Sequence, residues 1–261
     1  MVTAVIIQAR MGSTRLPGKV IKDISGKPVL WHVIHRVQHA SLPDAILVAT
    51  TTNPEDDVIE SLCHEWNILV FRGDANDVLR RYCDSVEFLE KTFGNIDSIV
   101  RITADCPLID PQVIDMAVAL MHSGSYDYVS NTDPPTFPDG LDVEVIARDI
   151  LFAAHEKATL LSEREHVTPF IRKDPFVRKT NIRNPTDLSA LRWTLDNPED
   201  YAFIKQIYLC LYNPSGIFLM TDILNLLAQK PELEKINSHI KRNEGYEKSL
   251  SRESVIRGDL S

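Results

Sequence analysis

The chain has 261 residues, 44% of them hydrophobic and 25% charged, and a formal net charge of −9. This is an ordinary globular composition, with room for one sizeable core or a core and a small appendage. Its acidity disfavours nucleic acid or anionic lipid as a partner of the whole surface. No apolar run approaches the ~20 residues of a membrane span. The opening stretch Met1-Val-Thr-Ala-Val-Ile-Ile-Gln8 lacks the basic start and cleavage site of a signal peptide and reads as a first strand. Cys63, Cys83, Cys106 and Cys210 are scattered, with no CxxC pair. Neither a disulfide framework nor a zinc site is expected, and the cytoplasm is the expected compartment.

In chain order, β-branched runs predict strands over 2–8, 45–50, 68–71, 98–103, 126–131 and 141–146. Between them, apolar residues recur at helical spacing. Val29, Leu30, Val33, Ile34 and Val37 form the first such set, and Val58, Ile59 and Leu62 the second. Val78, Leu79, Tyr82, Val86, Leu89 and Phe93 form a third, and Val113, Ile114, Ala117, Val118 and Met121 a fourth. The alternation predicts an α/β fold, a three-layer αβα sandwich with a mainly parallel sheet. Such sheets bind ligands beyond the carboxyl ends of their strands. A later strand is expected over 191–195 and helices over about 199–211 and 221–229. The expected organisation is one domain over 1–230 and a helical or frayed tail over 231–261.

The segment Gln8-Ala-Arg-Met-Gly-Ser-Thr-Arg-Leu-Pro-Gly-Lys19 follows the first strand directly. Gly12 and Gly18 permit close backbone approach, Ser13 and Thr14 can donate hydrogen bonds, and Arg10, Arg15 and Lys19 concentrate positive charge. Backbone N–H groups beside such cations make a cradle for a triphosphate. The loop is not a Walker A motif, because five residues separate its glycines and Val20 follows Lys19; nor is it GxGxxG. An exposed basic turn is the alternative reading.

Together with the preceding Ile6 and Ile7, this segment resembles the signature of the cytidylyltransferases that make CMP-activated acidic sugars, among them the acylneuraminate and 3-deoxy-manno-octulosonate enzymes. The resemblance is strongest to the spore coat polysaccharide branch and covers about residues 2–212. It implies a nucleotide-diphospho-sugar transferase fold, of the GT-A, Rossmann-like kind. It also implies the reaction CTP + sugar → CMP-sugar + pyrophosphate with Mg²⁺, a small acidic sugar, and a homodimer. On this reading Gln8, Ala9, Arg10, Gly12 and Ser13 bind the nucleotide, while Arg15 and Lys19 stabilise the departing pyrophosphate.

Two carboxylates fit that chemistry. Asp105, in Ala104-Asp-Cys-Pro-Leu108, is expected at the carboxyl edge of the 98–103 strand. A carboxylate there suits Mg²⁺, which is commonly held by one or two carboxylates plus phosphates and water. The resemblance carries a metal role onto Asp105; the competing reading is a helix N-cap. Asp196, in Asp196-Asn-Pro-Glu-Asp200, is similar to the family's second metal aspartate. A plain helix start, with Asp196 or Asn197 as cap and Pro198 at the first helical position, competes there, and both can hold at once. A glycosyltransferase that consumes a nucleotide-sugar is disfavoured, since no Asp-x-Asp occurs in the chain. A non-catalytic nucleotide-binding partner is the third reading.

Arg72 and Gly73 end the third strand, and in the resembled family the equivalent loop lies beside the nucleotide. Asp77, Arg80 and Arg81 have a plain reading as surface charges. Arg101 interrupts an apolar strand and, being costly to bury alone, is expected to meet a carboxylate or the ligand. Asp139 and Asp142 are placed to accept hydrogen bonds from sugar hydroxyls. Alternatively Asp142 and Glu144, on one strand face, pair with a base such as Arg101. Ser162-Glu-Arg-Glu-His166 reads as a helix start with Ser162 as N-cap and Glu165 closing a capping box. Arg164 and His166 are candidates for the sugar's carboxylate or for a site completed by a dimer partner. His32, His35 and His39 are expected at the surface, and Trp31, Trp66 and Trp193 in the core.

Overall fold

The structure is a computed structural model and describes residues 1–242; of the tail expected over 231–261, the part beyond 242 lies outside the described residues. Seven strands form one sheet: β1 (Thr3–Gln8), β4 (Ala45–Thr51), β5 (Leu69–Gly73), β6 (Ser98–Thr103), β7 (Tyr128–Ser130), β8 (Glu144–Ala147) and β9 (Lys179–Asn181). Their order is β5-β4-β1-β6-β8-β7-β9. Pairing is parallel from β5 to β6 and antiparallel on both sides of β8. A short hairpin, β2 (Asp23–Ile24) with β3 (Lys27–Pro28), stands apart. The mainly parallel α/β sandwich is therefore present, and β1 lies at its switch point, with β4 on one side and β6 on the other. Gln8 and Thr103, the last residues of β1 and β6, are paired in register there.

The alternation of side chains along β1 assigns the two cores. Val5 and Ile7 face α1 (Val29–Val37), α2 (Asp57–Glu65), α4 (Pro111–His122), α8 (Pro198–Leu211) and α9 (Met220–Gln229). Ala4 and Ile6 face α3 (Val78–Phe93), α5 (Arg148–Lys157) and α7 (Pro169–Lys173). Each strand residue thus buries its side chain on one face only, the expected outcome of period-two geometry in a sheet covered on both sides.

Several local expectations are corrected. Residues 191–195 form no strand and share with the sheet region only an isolated bridge between Arg192 and Asp139. They are held instead by their neighbours on two sides: Asp139 N–H donates to Leu191 O, Trp193 N–H to Asp139 O and Leu195 N–H to Asp105 O. Gly140 makes that contact possible. It has φ +106°, and a Cβ there would sit 2.6 Å from Thr194 N and Trp193 C. The strands expected over 126–131 and 141–146 are shorter and shifted, and β9 was not anticipated; three residues carry too little pattern to be read.

Ser162 is not an N-cap. Helix α6 (Leu161–His166) begins before it, capped at Leu160, whose N–H donates to the Glu163 carboxylate at 3.4 Å. His32 is buried, and its Nε2–H donates to Ile24 O at 2.7 Å. Burial pushes its pKa down to about 4, so it is neutral. Arg81 is also buried rather than superficial, with Nη1 donating to Asp74 O. Beyond residue 230 the chain stays with the body: Leu233 is buried, and Asn237 Nδ2 donates to Arg192 O and to Asp200.

Candidate active site

A cavity of about 580 Å³ opens over the carboxyl ends of β1 and β6. Its walls come from the loop after β1, from the Thr103–Cys106 turn, from the segment around Asp139 and Glu144, from the end of α6 and from Arg192 to Asp196. Gln8, Arg10, Gly12, Ser13, Arg15 and Lys19 all line it, as do Arg101, Asp105, Asp139, Asp142, Glu144, His166 and Asp196. Ala9, Arg72 and Gly73 do not. Ala9 is buried under the loop and bonds to Ala49 O. Arg72 turns away to Asp57 and Glu60, at 2.7 and 2.8 Å. A Cβ on Gly73 would lie 2.9 Å from Arg81 Cγ, so this glycine serves packing over the buried Arg81 stem.

The loop after β1 is held from both ends. Met11 N–H donates to Asp56 at 2.7 Å, and Asp56, itself fully buried, also accepts from the Thr51 hydroxyl. Ser13 and Gly18 N–H both return to Met11 O. Gly18 takes φ +64°, which turns the chain into a single 3₁₀ turn that starts at Lys19. Buried Leu16 and Val20 pin the far side. The result fixes the Lys19 stem while its ammonium enters the cavity.

That ammonium sits between the two predicted metal aspartates. Lys19 Nζ donates to Asp105 Oδ2 at 2.6 Å and to Asp196 Oδ1 at 2.8 Å. Arg15 Nη2 lies 3.0 Å from Asp196 Oδ2. Thr103 donates to the other Asp105 oxygen at 2.5 Å. Burial alone would raise the Asp105 carboxyl, but Lys19 and the Thr103 hydroxyl hold it at about 2. Burial would likewise lower Lys19, and the two aspartates reverse it, so its pKa is raised. Asp196 is not the cap of α8. Asn197 takes that position, with Pro198 first in the helix and Asp200 returning to the Asn197 N–H at 2.9 Å.

The donor set fits a divalent cation. Two carboxylates already converge on one positive charge, and Mg²⁺ needs no more than that from protein when phosphates and water complete its shell. Among the described residues no group of three or more His, Cys, Asp or Glu forms a ready-made cage.

The other end of the cavity is built from paired charges. Arg101 Nη1 donates to Glu144 at 2.7 Å, and Tyr128 OH donates to the same carboxylate. Burial would raise Glu144, but Arg101 outweighs it and the carboxyl lies below its usual range. Asp142 does not pair with Arg101; it accepts from Arg242. Arg192, buried, donates to Asp139 at 3.0 Å and to Asp200 at 2.9 and 3.0 Å, and lies 3.4 Å from Asp196. Burial and the neighbouring Asp142 push the Asp139 carboxyl up to about 7 despite Arg242 and Arg192. Gln8 Oε1 and Arg101 Nε are buried with no hydrogen-bond partner. Arg192 and Arg242 went unread in the sequence. Arg192 resembles any charge in a short apolar run, and Arg242 lies beyond the helical pattern. The one signal was the number of carboxylates around them.

A model of the cytidylyltransferase family matches residues 4–236. The chain belongs to the cytidylyltransferase family. Among its relatives, spore coat polysaccharide biosynthesis protein SpsF of Bacillus subtilis is 34% identical over 237 residues, 87% of this chain and 94% of that protein. A cytidylyltransferase from Leptospira borgpetersenii superposes with a TM-score of 0.83 at 32% identity, covering 89% of this chain and 96% of that one. The CMP:2-keto-3-deoxy-manno-octonic acid synthetase complexed with CTP shares the fold, with a TM-score of 0.62 and 16% identity over 80% of this chain and 99% of that one. The family membership makes the protein a nucleotidyltransferase. No described helix is long and apolar enough to cross a membrane.

Proposed function

We propose that this cytidylyltransferase joins CTP to a small, acidic sugar, giving CMP-sugar and pyrophosphate, with Mg²⁺ as cofactor, in surface polysaccharide or glycan synthesis. The observation that carries the reading is a single cation, Lys19, gripped by Asp105 and Asp196 at the mouth of the glycine- and arginine-rich loop. In the reaction a sugar hydroxyl oxygen bonds to the α-phosphorus, the bond from that phosphorus to the β-phosphate oxygen breaks, and the hydroxyl proton is released. Asp105 and Asp196 would hold the metal, which supplies Lewis-acid stabilisation of the charge on the α-phosphate. Lys19 and Arg15 offset the charge that develops on the departing pyrophosphate. Gln8, Arg10, Gly12 and Ser13 hold the nucleotide. Asp139 and Asp142 accept from sugar hydroxyls, and Arg101 and His166 face the sugar's carboxylate.

The test is incubation with each nucleoside triphosphate, Mg²⁺ and a panel of acidic and neutral sugars, with pyrophosphate and sugar nucleotide both measured. Equimolar pyrophosphate and CMP-sugar from CTP is the expected result. Release of a nucleoside diphosphate from a sugar nucleotide would instead mark a glycosyltransferase and overturn the proposal.

A further inference from the structure

All four oxygens of the two aspartates are already engaged by protein donors. Asp105 gives one oxygen to Thr103 and one to Lys19. Asp196 gives one to Lys19, while the other faces Arg15 at 3.0 Å and Arg192 at 3.4 Å. The Lys19 side chain is only 12% exposed, so its ammonium is committed to this niche and poorly served by water. An ammonium and a divalent cation cannot share it, because like charges a few ångströms apart repel strongly where water is scarce. Metal alone must therefore separate Lys19 from two carboxylates without offering that cation a new anion. A triphosphate in the adjoining loop offers one.

We infer that Lys19 is the resident counter-ion of the metal site, and that it leaves Asp105 and Asp196 for the triphosphate when nucleotide binds. This inference rests on the reading of the two aspartates as metal ligands. Its consequence is linkage: the protein without nucleotide binds a divalent cation weakly, and nucleotide and metal each strengthen the other by the same factor. Lys19 is then a positioning residue for the metal as well as a group on the leaving pyrophosphate. The arrangement places a positive charge between two part-buried carboxylates and offsets their mutual repulsion until the substrate arrives.

The test uses the full chain and Mn²⁺ as the probe, with free Mn²⁺ read by electron paramagnetic resonance and no nucleotide or sugar present. Lys19→Met should bind one Mn²⁺ at least about tenfold more tightly than wild type, within the usual range of coupling between sites. Asp105→Asn introduced into Lys19→Met should remove that gain. Lys19→Gln, which keeps a polar tip, provides the same comparison if the methionine variant fails to fold. Equal Mn²⁺ affinity of wild type and both Lys19 variants would overturn the inference, as would a gain that survives Asp105→Asn. Because no turnover is read, tighter Mn²⁺ binding by Lys19→Met in a protein that forms no CMP-sugar would uphold the inference while rejecting the proposed reaction.

Discussion

Arg192→Met separates the charge network from the packing that surrounds it, because methionine fills much of the arginine stem and removes only the guanidinium. Two buried carboxylates lose a guanidinium partner: Asp200, which is fully buried, and Asp139, which is nearly so and keeps Arg242 at 3.8 Å. Removing one partner from a buried pair costs about 3–5 kcal/mol, mostly as the penalty of a stranded charge. The lower end applies here. Asp200 keeps three N–H donors, from Asp196, Asn197 and Asn237. Asp139, already near 7, escapes part of the penalty by taking up a proton.

In a protein of this size a loss of about 3 kcal/mol lowers the melting temperature by roughly 6–12 °C. The loss should depend on pH with a definite sign. Arg192 favours ionised Asp139, so the variant raises that folded-state carboxyl further above its unfolded value, and the gap to wild type widens as pH rises through 7. Thermal unfolding at pH 6 and pH 8 reads both effects. A melting temperature within about 2 °C of wild type at both pH values would refute the reasoning. A large drop that is the same at both would assign the whole cost to Asp200.

Asp105→Asn should lower pyrophosphate release by at least ~10²-fold, the scale of losing a preorganised electrostatic group. In metal-free protein its folded carboxyl, at about 2, lies below its ordinary 3.8. Wild type should thus lead the variant in urea midpoint above pH 4 and lose that lead as pH falls toward 2, and an unchanging lead would contradict the Lys19–Asp105 pairing. Arg242→Ala should raise KM for the sugar while calorimetry finds CTP affinity unaltered; a parallel loss of CTP affinity would move Arg242 to the nucleotide side. Arg72→Gln should leave CTP affinity intact, and a loss of about tenfold would return Arg72 to the nucleotide. Gly140→Ala should destabilise by about 2 kcal/mol or more, through backbone overlap and strain at φ +106°, read as a shifted urea midpoint at constant slope.

The sequence by itself determined the layers and the end of the cavity that the loop after β1 builds. Long periodic runs state which face is apolar, and β1 with its loop is contiguous, so Gln8 to Lys19 could be read as one unit and placed at a strand's carboxyl end. Asp105 and Asp196 were legible for the same reason, each beside a proline that ends or starts an element. Tertiary structure decided what the charges do. Arg72 has the look of a ligand-facing residue in sequence, yet its partners are Asp57 and Glu60 from the neighbouring helix. Residues 191–195 carry a strand's composition, but with Asp139 on one flank and Asp105 on the other they find hydrogen bonds without a ladder. Arg192 to Asp139, Arg242 to Asp142 and Lys19 to Asp196 join residues 53 to 177 positions apart in ways no local pattern encodes. Periodicity is a property of neighbours along the chain, whereas a buried ion pair depends on which charges meet once water has been excluded.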